Sequence, residues 1–223
     1  MSTLLDFLEI KDTVEEEHKE ILNEEQLEAF KAIVCKFKNV FLTGGGGTGK
    51  SFLVRYIANY IKKKTKRKIQ ITALTGIASI NFDYGRTVHS WAGIGLGDKP
   101  AIELALNINQ KPFLKRNWVN TDILVIDEIS MMTGELFDKL NTIAKVVRKN
   151  DKPFGGIQLV LVGDFCQLPP VKSTDFCFLS NSWKECVSGI YQLNILQRQI
   201  SDPKYGKLLK KLRRGILSKK SRE

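Results

Sequence analysis

The sequence predicts an α/β fold in three layers, with a mostly parallel sheet between two layers of helices. Four near-continuous runs of β-branched residues and leucine, at 40–42, 69–74, 123–126 and 158–162, are typical of parallel strands buried on both faces. Residues 191–194 are a weaker candidate for a fifth strand. Before the fourth run, apolar residues recur at spacings of three and four, which predicts a helix with one buried face: Leu136, Leu140, Ile143 and Val147. This alternation of strands and helices indicates the layered class.

A glycine-rich loop follows the first predicted strand. Residues 44–51 read G-G-G-G-T-G-K-S, a pattern in which backbone N–H groups surround a triphosphate. We expect the Lys50 ammonium to reach the β- and γ-phosphates and the Ser51 hydroxyl to bind Mg²⁺. The expected nucleotide-binding residues of this loop are Gly44, Gly45, Gly46, Gly47, Thr48, Gly49, Lys50 and Ser51. A helix is predicted on each side of this strand, one at about 22–37 with Asn23 as its cap and one from about residue 52.

Two acidic residues and one amide follow the later strands. Asp127 and Glu128 come directly after the third run, at the sheet edge where ligands of open α/β sheets bind. Asp127 is expected to hold Mg²⁺ together with Ser51, and Glu128 to act as general base on the attacking water. Gln167 follows the fourth run and is expected to orient the water or the γ-phosphate. A salt-bridged strand end and a plain turn are the structural alternatives.

The charge of the chain is unevenly distributed. The net charge is +11, but residues 1–30 hold ten acidic and two basic side chains, so residues 31–223 carry +19. Basic residues cluster at 62–68 and again at 204–222, which indicates either a solvated surface or a polyanion partner such as nucleic acid. The sequence shows no signal peptide, no apolar run that could span a bilayer and no C-x-x-C pair among its four cysteines. We therefore expect an intracellular protein without a membrane partner.

Several motifs together resemble the Pif-one-like DNA helicases, a family in the 5′-to-3′ branch of helicase superfamily one. The resemblance covers about residues 20–215. It rests on D-E-I-S-M-M at 127–132, G-D-F-C-Q-L-P-P-V at 163–171 and the segment 128–148. L-N-E-E-Q at 22–26 is similar to the family's Q motif, and T-A-L-T-G-I-A-S at 72–79 with T-V-H-S-W-A-G-I-G at 87–95 is similar to its DNA-contacting segments. L-Q-R-Q at 196–199 resembles the motif that presents an arginine to the γ-phosphate.

The resemblance implies a RecA-like P-loop NTPase domain that binds ATP and Mg²⁺. It implies an adenine-reading role for Gln26 and catalytic roles for Lys50, Glu128, Gln167 and Arg198. A surface salt bridge is the alternative for Arg198. The sequence departs from the family pattern mildly at Gly47, where alanine is more usual, and at Trp91, where phenylalanine is common.

The resemblance also implies contacts with single-stranded DNA and with junctions of single- and double-stranded DNA. The implied contact residues are Thr75, Gly76, His89, Ser90 and Trp91. Because aromatic faces stack on bases, Trp91 could contact DNA directly, but core packing is its alternative, as a hydrogen-bonded structural role is for His89. Depending on source, the cellular site would be the nucleus, the mitochondrion, a viral replication site or the cytoplasm.

Family members carry two RecA-like domains with ATP between them, and the second supplies an arginine finger. We therefore expect an acidic segment at 1–20, a first motor domain at 21–215 and a basic tail or linker at 216–223, with the second domain contributed in cis or in trans. The chain alone is expected to bind ATP, to hydrolyse it slowly and not to unwind DNA. Two alternatives stay open, a RecD-type recombination helicase domain and a nucleotide-dependent DNA-binding module without productive hydrolysis.

Overall fold

A six-stranded parallel sheet forms the centre of the fold. The structure is a computed structural model that describes residues 18, 20–77, 85–171, 173–196, 211, 213 and 215. Every pairing between neighbouring strands is parallel, in the spatial order β3-β2-β4-β5-β1-β6. The strands are β1 (Val40–Gly44), β2 (Ile69–Ala73), β3 (Arg86–Thr87), β4 (Ile123–Asp127), β5 (Gln158–Gly163) and β6 (Gly189–Leu193).

Helices connect these strands and cover the sheet. They are α1 (Glu24–Val34), α2 (Lys50–Lys64), α3 (Val88–Ala92), α4 (Ala101–Gln110), α5 (Pro112–Asn120), α6 (Gly134–Arg148) and α7 (Trp183–Cys186). Short 3-10 turns lie at Ile129–Met131, Pro153–Gly156 and Cys177–Leu179. Asn23 caps α1 as predicted, because its side chain accepts a hydrogen bond from the backbone N–H of Gln26. None of the described helices is both long and apolar enough to cross a membrane.

Successive residues of the central strands face two separate cores, which confirms the three-layer prediction. In β4, Leu124 and Ile126 pack into a core shared with α3, α4, α5 and α6. Ile123 and Val125, which alternate with them, pack into a second core shared with α1 and α2. Because side chains of a strand alternate between its faces, strands buried on both faces read as continuous apolar runs.

Several elements differ from the sequence prediction. The short edge strand β3 and the helices α4 and α5 were not predicted. β3 has only two residues, and the two helices bury few positions: Leu104, Ala105 and Ile108 in α4 and Trp118 in α5. The predicted fifth strand is present as β6, one or two residues earlier than expected. The parallel arrangement brings the carboxyl ends of β1, β4 and β5, namely Gly44, Asp127 and Gly163, to one edge of the sheet.

Candidate functional site

A cavity of about 830 Å³ opens at this edge of the sheet. Most of the predicted nucleotide-binding residues line it, although they come from four distant parts of the chain. The lining residues include Gln26, the loop residues from Gly46 to Ser51, the acidic pair Asp127 and Glu128, and Gln167. The size is within the range of pockets that bind small ligands and cofactors.

The backbone of the phosphate loop needs glycine at two positions in particular. Gly44 ends β1 with a φ of +152°, and a Cβ atom there would lie 2.4 Å from the carbonyl oxygen of Leu193. Gly49 precedes the first residue of α2 with a φ of 91°, in the left-handed region that glycine adopts without strain. The loop therefore leads β1 directly into the N-terminus of α2, where free backbone N–H groups favour an anion.

The Lys50 side chain folds back over the loop. Its ammonium donates hydrogen bonds to the carbonyl oxygens of Gly44 at 2.6 Å and Gly45 at 3.1 Å, and the Thr48 hydroxyl donates to Gly45 at 2.9 Å. Burial lowers the pKa of Lys50, while the negative charges of Asp164, Asp127 and Glu128 act in the opposite direction. These contacts fix the ammonium at the mouth of the loop, next to the acidic residues of the neighbouring strands.

The acidic pair has two different environments. Asp127 is the last residue of β4 and is only 7% exposed, whereas Glu128 is half-buried with a φ of 54°. The Glu128 backbone N–H donates to the Asp127 carboxylate at 2.9 Å. Burial raises the pKa of Asp127 to about 6, and the nearby Glu128 charge adds to this rise. A carboxylate held this way in a cavity that Ser51 also lines fits a divalent cation, since the cation would offset the cost of its burial.

Gln167 lies in a turn organised by Asp164. The Gln167 backbone N–H donates to the Asp164 carbonyl at 2.8 Å, and its side-chain amide donates to the Asp164 carboxylate at 3.1 Å. Sequence reasoning missed Asp164, although an acidic residue directly after a buried strand was the signal that identified Asp127. The structure therefore brings Gln167 to the cavity through a carboxylate that was not predicted.

Gln26 also lines the cavity, but part of its side chain has a structural role. The carboxamide oxygen accepts a hydrogen bond from the Asn23 backbone N–H at 3.2 Å, which completes a reciprocal capping box at the start of α1. The side chain is 2% exposed. Since the oxygen is engaged in the cap, the amide nitrogen is the group that could read an adenine edge.

A second groove, of about 720 Å³, lies beside the ends of β2 and α3. Two of the predicted DNA-contacting residues, Thr75 and His89, line it together with Val171. Burial lowers the pKa of His89. Gly76 and Ser90 are exposed, and the Ser90 backbone N–H donates to the Thr87 hydroxyl, which caps α3.

Trp91 is not available for stacking on a base, and this part of the prediction is corrected. Its side chain is 0% exposed and packs against Trp118, with ring centroids 4.6 Å apart, inside the core beneath α3. Trp91 and Ala92 follow Val88 by three and four residues, which places all three on one buried face of α3, while Ser90 faces solvent. Trp91 therefore supports the groove from within the core.

The remaining predictions fall in other places. The basic residues at 62–68 lie around the amino end of β2, where Lys62, Lys66, Arg67 and Lys68 line a separate pocket at the sheet edge opposite the nucleotide cavity. Arg198, residues 78–79 and most of the basic tail lie outside the described residues. Asn194 and Ile195 are anchored by backbone N–H bonds to the Glu25 carboxylate, at 2.7 and 3.2 Å, next to Gln26.

Comparison with known proteins gives one consistent result. Residues 21–222 match the PIF1-like helicase family. The chain is 43% identical over 201 residues to the ATP-dependent DNA helicase PIF1 of Emericella nidulans, covering 86% of this chain and 27% of that protein. It is 42% identical over 201 residues to the human ATP-dependent DNA helicase PIF1, covering 88% of this chain and 30% of that protein. The chain thus spans less than a third of the length of these curated relatives.

Solved structures agree with the sequence comparison. The crystal structure of Pif1 helicase from Candida albicans superposes with a TM-score of 0.85 at 41% identity, covering 90% of this chain and 46% of that one. The Bacteroides Pif1 helicase in complex with ADP-AlF3 and ssDNA gives a TM-score of 0.76 at 29% identity, with 90% and 48% covered. These matches favour the Pif-one-like interpretation over the RecD-type alternative. A match over nearly the whole chain, with the motif residues gathered at one sheet edge, means that this chain belongs to the PIF1-like helicase family.

Proposed function

We propose that this chain is the ATP- and single-stranded-DNA-binding first motor domain of a 5′-to-3′ DNA helicase that acts inside the cell. The observation that carries the proposal is the convergence of Lys50, Asp127, Glu128 and Gln167 on one cavity at the carboxyl edge of the sheet. These four side chains supply a phosphate-binding cation, a metal-binding carboxylate, a general base and a neutral amide, which together are the groups that phosphoryl transfer to water needs.

Each residue has a distinct task in the proposed site. Lys50 exchanges its bonds with the loop carbonyls for bonds with the β- and γ-phosphates, and the N–H groups at the start of α2 bind the remaining phosphate oxygens. Ser51 and Asp127 would hold Mg²⁺, and the bound cation would neutralise charge that develops on the phosphates. Glu128 accepts the proton of the attacking water, and Gln167 orients that water against the γ-phosphate. The side-chain amide nitrogen of Gln26, which has no hydrogen-bond partner among the described residues, donates to the adenine.

Single-stranded DNA is proposed to follow the second groove. Thr75 and His89 line this groove, and Gly76 and Ser90 present an exposed backbone and hydroxyl beside it, which are groups that bind phosphate oxygens. The Bacteroides relative was solved with single-stranded DNA and with a nucleotide complex, which supports both ligands for this chain. Junction DNA, Arg198 as the γ-phosphate arginine, and a second RecA-like domain in cis or in trans remain parts of the proposal.

The proposal is tested by ATP hydrolysis with and without single-stranded DNA, using Lys50→Ala as the control. We expect ATP binding that Lys50→Ala abolishes, slow hydrolysis and no duplex unwinding, because the arginine finger of a second domain contributes roughly three to five orders of magnitude in rate. Strong hydrolysis stimulated by DNA and lost in Lys50→Ala would mean that a complete motor assembles from copies of the chain. ATP binding without any hydrolysis would favour a nucleotide-dependent binding module, and no ATP binding would refute the proposal.

A further inference from the structure

A buried ion pair links the far end of the described chain to the nucleotide cavity. Asp164 is 1% exposed, and Arg213, 49 residues later, donates two hydrogen bonds to it, from Nε to Oδ2 and from Nη2 to Oδ1, each at 2.7 Å. This is the bidentate geometry in which both N–H groups of a guanidinium fork meet both carboxylate oxygens. A carboxylate buried this deeply requires such a partner, since burying it unpaired is costly.

The same carboxylate fixes the turn that carries Gln167. It accepts hydrogen bonds from the Cys166 backbone N–H and from the Gln167 side-chain amide, both at 3.1 Å. Burial alone would raise the pKa of Asp164, but the hydrogen bonds from Arg213, Cys166 and Gln167 hold it below its ordinary value. Because Gln167 is bonded to Asp164 through both its backbone and its side chain, the orientation of Asp164 determines where the Gln167 amide lies.

Arg213 also lies beside the phosphate loop. A Cβ atom built on Gly45 would lie 3.7 Å from the Cδ atom of Arg213, which places the arginine stem next to the loop at that residue. The Gly45 carbonyl is one of the two oxygens that hold the Lys50 ammonium. Arg213 does not belong to the residues that line the cavity, and its hydrogen bonds reach the site through Asp164. Its charge also acts on Lys50, where it adds to the lowering of the pKa that burial causes.

We infer that Arg213 is a positioning residue that holds the Gln167 turn against the phosphate loop through its bidentate pair with Asp164. In this arrangement a residue near the carboxyl end of the chain sets the geometry of the amide that senses the γ-phosphate. The inference rests on the proposed function as an ATP site, because it assigns Arg213 to the part of that site where a triphosphate differs from a diphosphate.

The test is the preference of the 223-residue chain for a non-hydrolysable ATP analogue over ADP, measured by calorimetry with Mg²⁺. Arg213→Gln is expected to reduce this preference about tenfold, because the displaced Gln167 amide loses one charge-assisted hydrogen bond to the γ-phosphate, while ADP affinity changes much less. Arg213→Lys keeps the charge but not the fork, so we expect an intermediate loss. Arg116→Gln removes the same charge at the opposite sheet edge and should leave the preference unchanged.

A second background separates positioning from general stability. In Gln167→Ala, the additional change Arg213→Gln should reduce the preference little further, because both act through the same amide. Should Arg213→Gln fail to fold, the double variant Asp164→Asn with Arg213→Gln avoids a buried unpaired charge and should show the same loss of preference.

The outcomes distinguish the inference from the function on which it rests. A lowered melting temperature with an unchanged preference for the triphosphate in these variants would make Arg213 merely structural and overturn the inference alone. A wild-type chain that binds neither nucleotide, or a Lys50→Ala variant that binds both nucleotides as tightly as the wild type does, would overturn the proposed function and the inference with it.

Discussion

Trp91 and Trp118 are two buried tryptophans that differ in whether the indole N–H has a hydrogen-bond partner. Both side chains are 0% exposed and lie in the same core, in contact with each other. The Trp118 indole N–H donates to the Ala92 carbonyl at 3.0 Å, whereas the Trp91 indole N–H has no hydrogen-bond partner among the described residues. Replacing each tryptophan by phenylalanine therefore removes a satisfied donor in one case and an unsatisfied donor in the other.

The expected difference follows from the cost of buried polar groups. Trp→Phe removes a similar apolar area at the two sites, so that cost cancels in the comparison. Trp118→Phe also loses a hydrogen bond of about 1 kcal/mol, and Trp91→Phe removes a buried donor whose missing partner costs about 1–3 kcal/mol. We expect Trp91→Phe to be the more stable variant by at least about 2 kcal/mol, or roughly 4–8 °C in melting temperature for a domain of this size.

Thermal and urea denaturation of the two variants provide the measurement. Trp91→Ala is the companion test of burial, since truncating a fully buried tryptophan costs about 3–5 kcal/mol while truncating an exposed one costs little. Equal stability of Trp91→Phe and Trp118→Phe would refute the argument about the indole N–H. A Trp91→Ala variant as stable as the wild type would refute the core position and restore Trp91 as a candidate for stacking on DNA.

Three further predictions concern the cavity and the groove. Asp127→Asn should raise the free energy of unfolding of the nucleotide-free chain by about 3 kcal/mol above pH 6, because burial raises the Asp127 pKa from 3.8 to about 6. In urea denaturation, the difference in free energy of unfolding between Asp127→Asn and the wild type should shrink toward pH 4. Asp151→Asn changes an exposed carboxylate, and an equal increase in stability from that substitution would contradict burial as the cause. Burial lowers the pKa of His89 from its ordinary 6.5, so the ring should be mostly neutral at pH 6.5 and gain a positive charge only at lower pH. Fluorescence anisotropy should therefore show DNA affinity rising only below pH 6.5, and this rise should be absent from His89→Gln. Gly44→Ala should lower stability by about 2 kcal/mol or more and abolish ATP binding. Gly46→Ala should remain stable, because no atom lies within 4 Å of the added Cβ. Similar melting temperatures for the two variants would contradict the described loop geometry.

The sequence was sufficient for the features whose causes are local. Parallel strands buried on both faces require continuous apolar runs, so β1, β2, β4 and β5 were all predicted within about two residues. The phosphate loop was predicted because its glycines are needed at fixed offsets from Lys50. The convergence of Asp127 and Gln167 on that loop follows from parallel topology, since the carboxyl ends of parallel strands meet at one edge.

The features that the sequence left open or did not predict depend on contacts between distant residues. Nothing local to Trp91 shows that Trp118, 27 positions later, occupies the space beneath it, and a helix as short as α3 gives too little periodicity to show which face is buried. Likewise, the pairing of Asp164 with Arg213 has no signature at either residue. The capping role of Gln26 does have a local signature, since Asn23 lies three residues before it, but only the adenine-reading role implied by the resemblance was predicted for Gln26.

The segment after β5 gives the two proposed ligands a common structural element. Gln167 lines the nucleotide cavity, and Val171, four residues later, lines the groove that Thr75 and His89 share. Pro169 and Pro170 lie between them, and two fixed φ angles make that connection stiff. We therefore expect a shift of Gln167 toward a γ-phosphate to move Val171 as well, and by reciprocity DNA in the groove should change the preference for a triphosphate. Asp164 and Arg213 lie at the other end of this segment, so we expect Arg213→Gln to weaken this coupling between the two ligands as well.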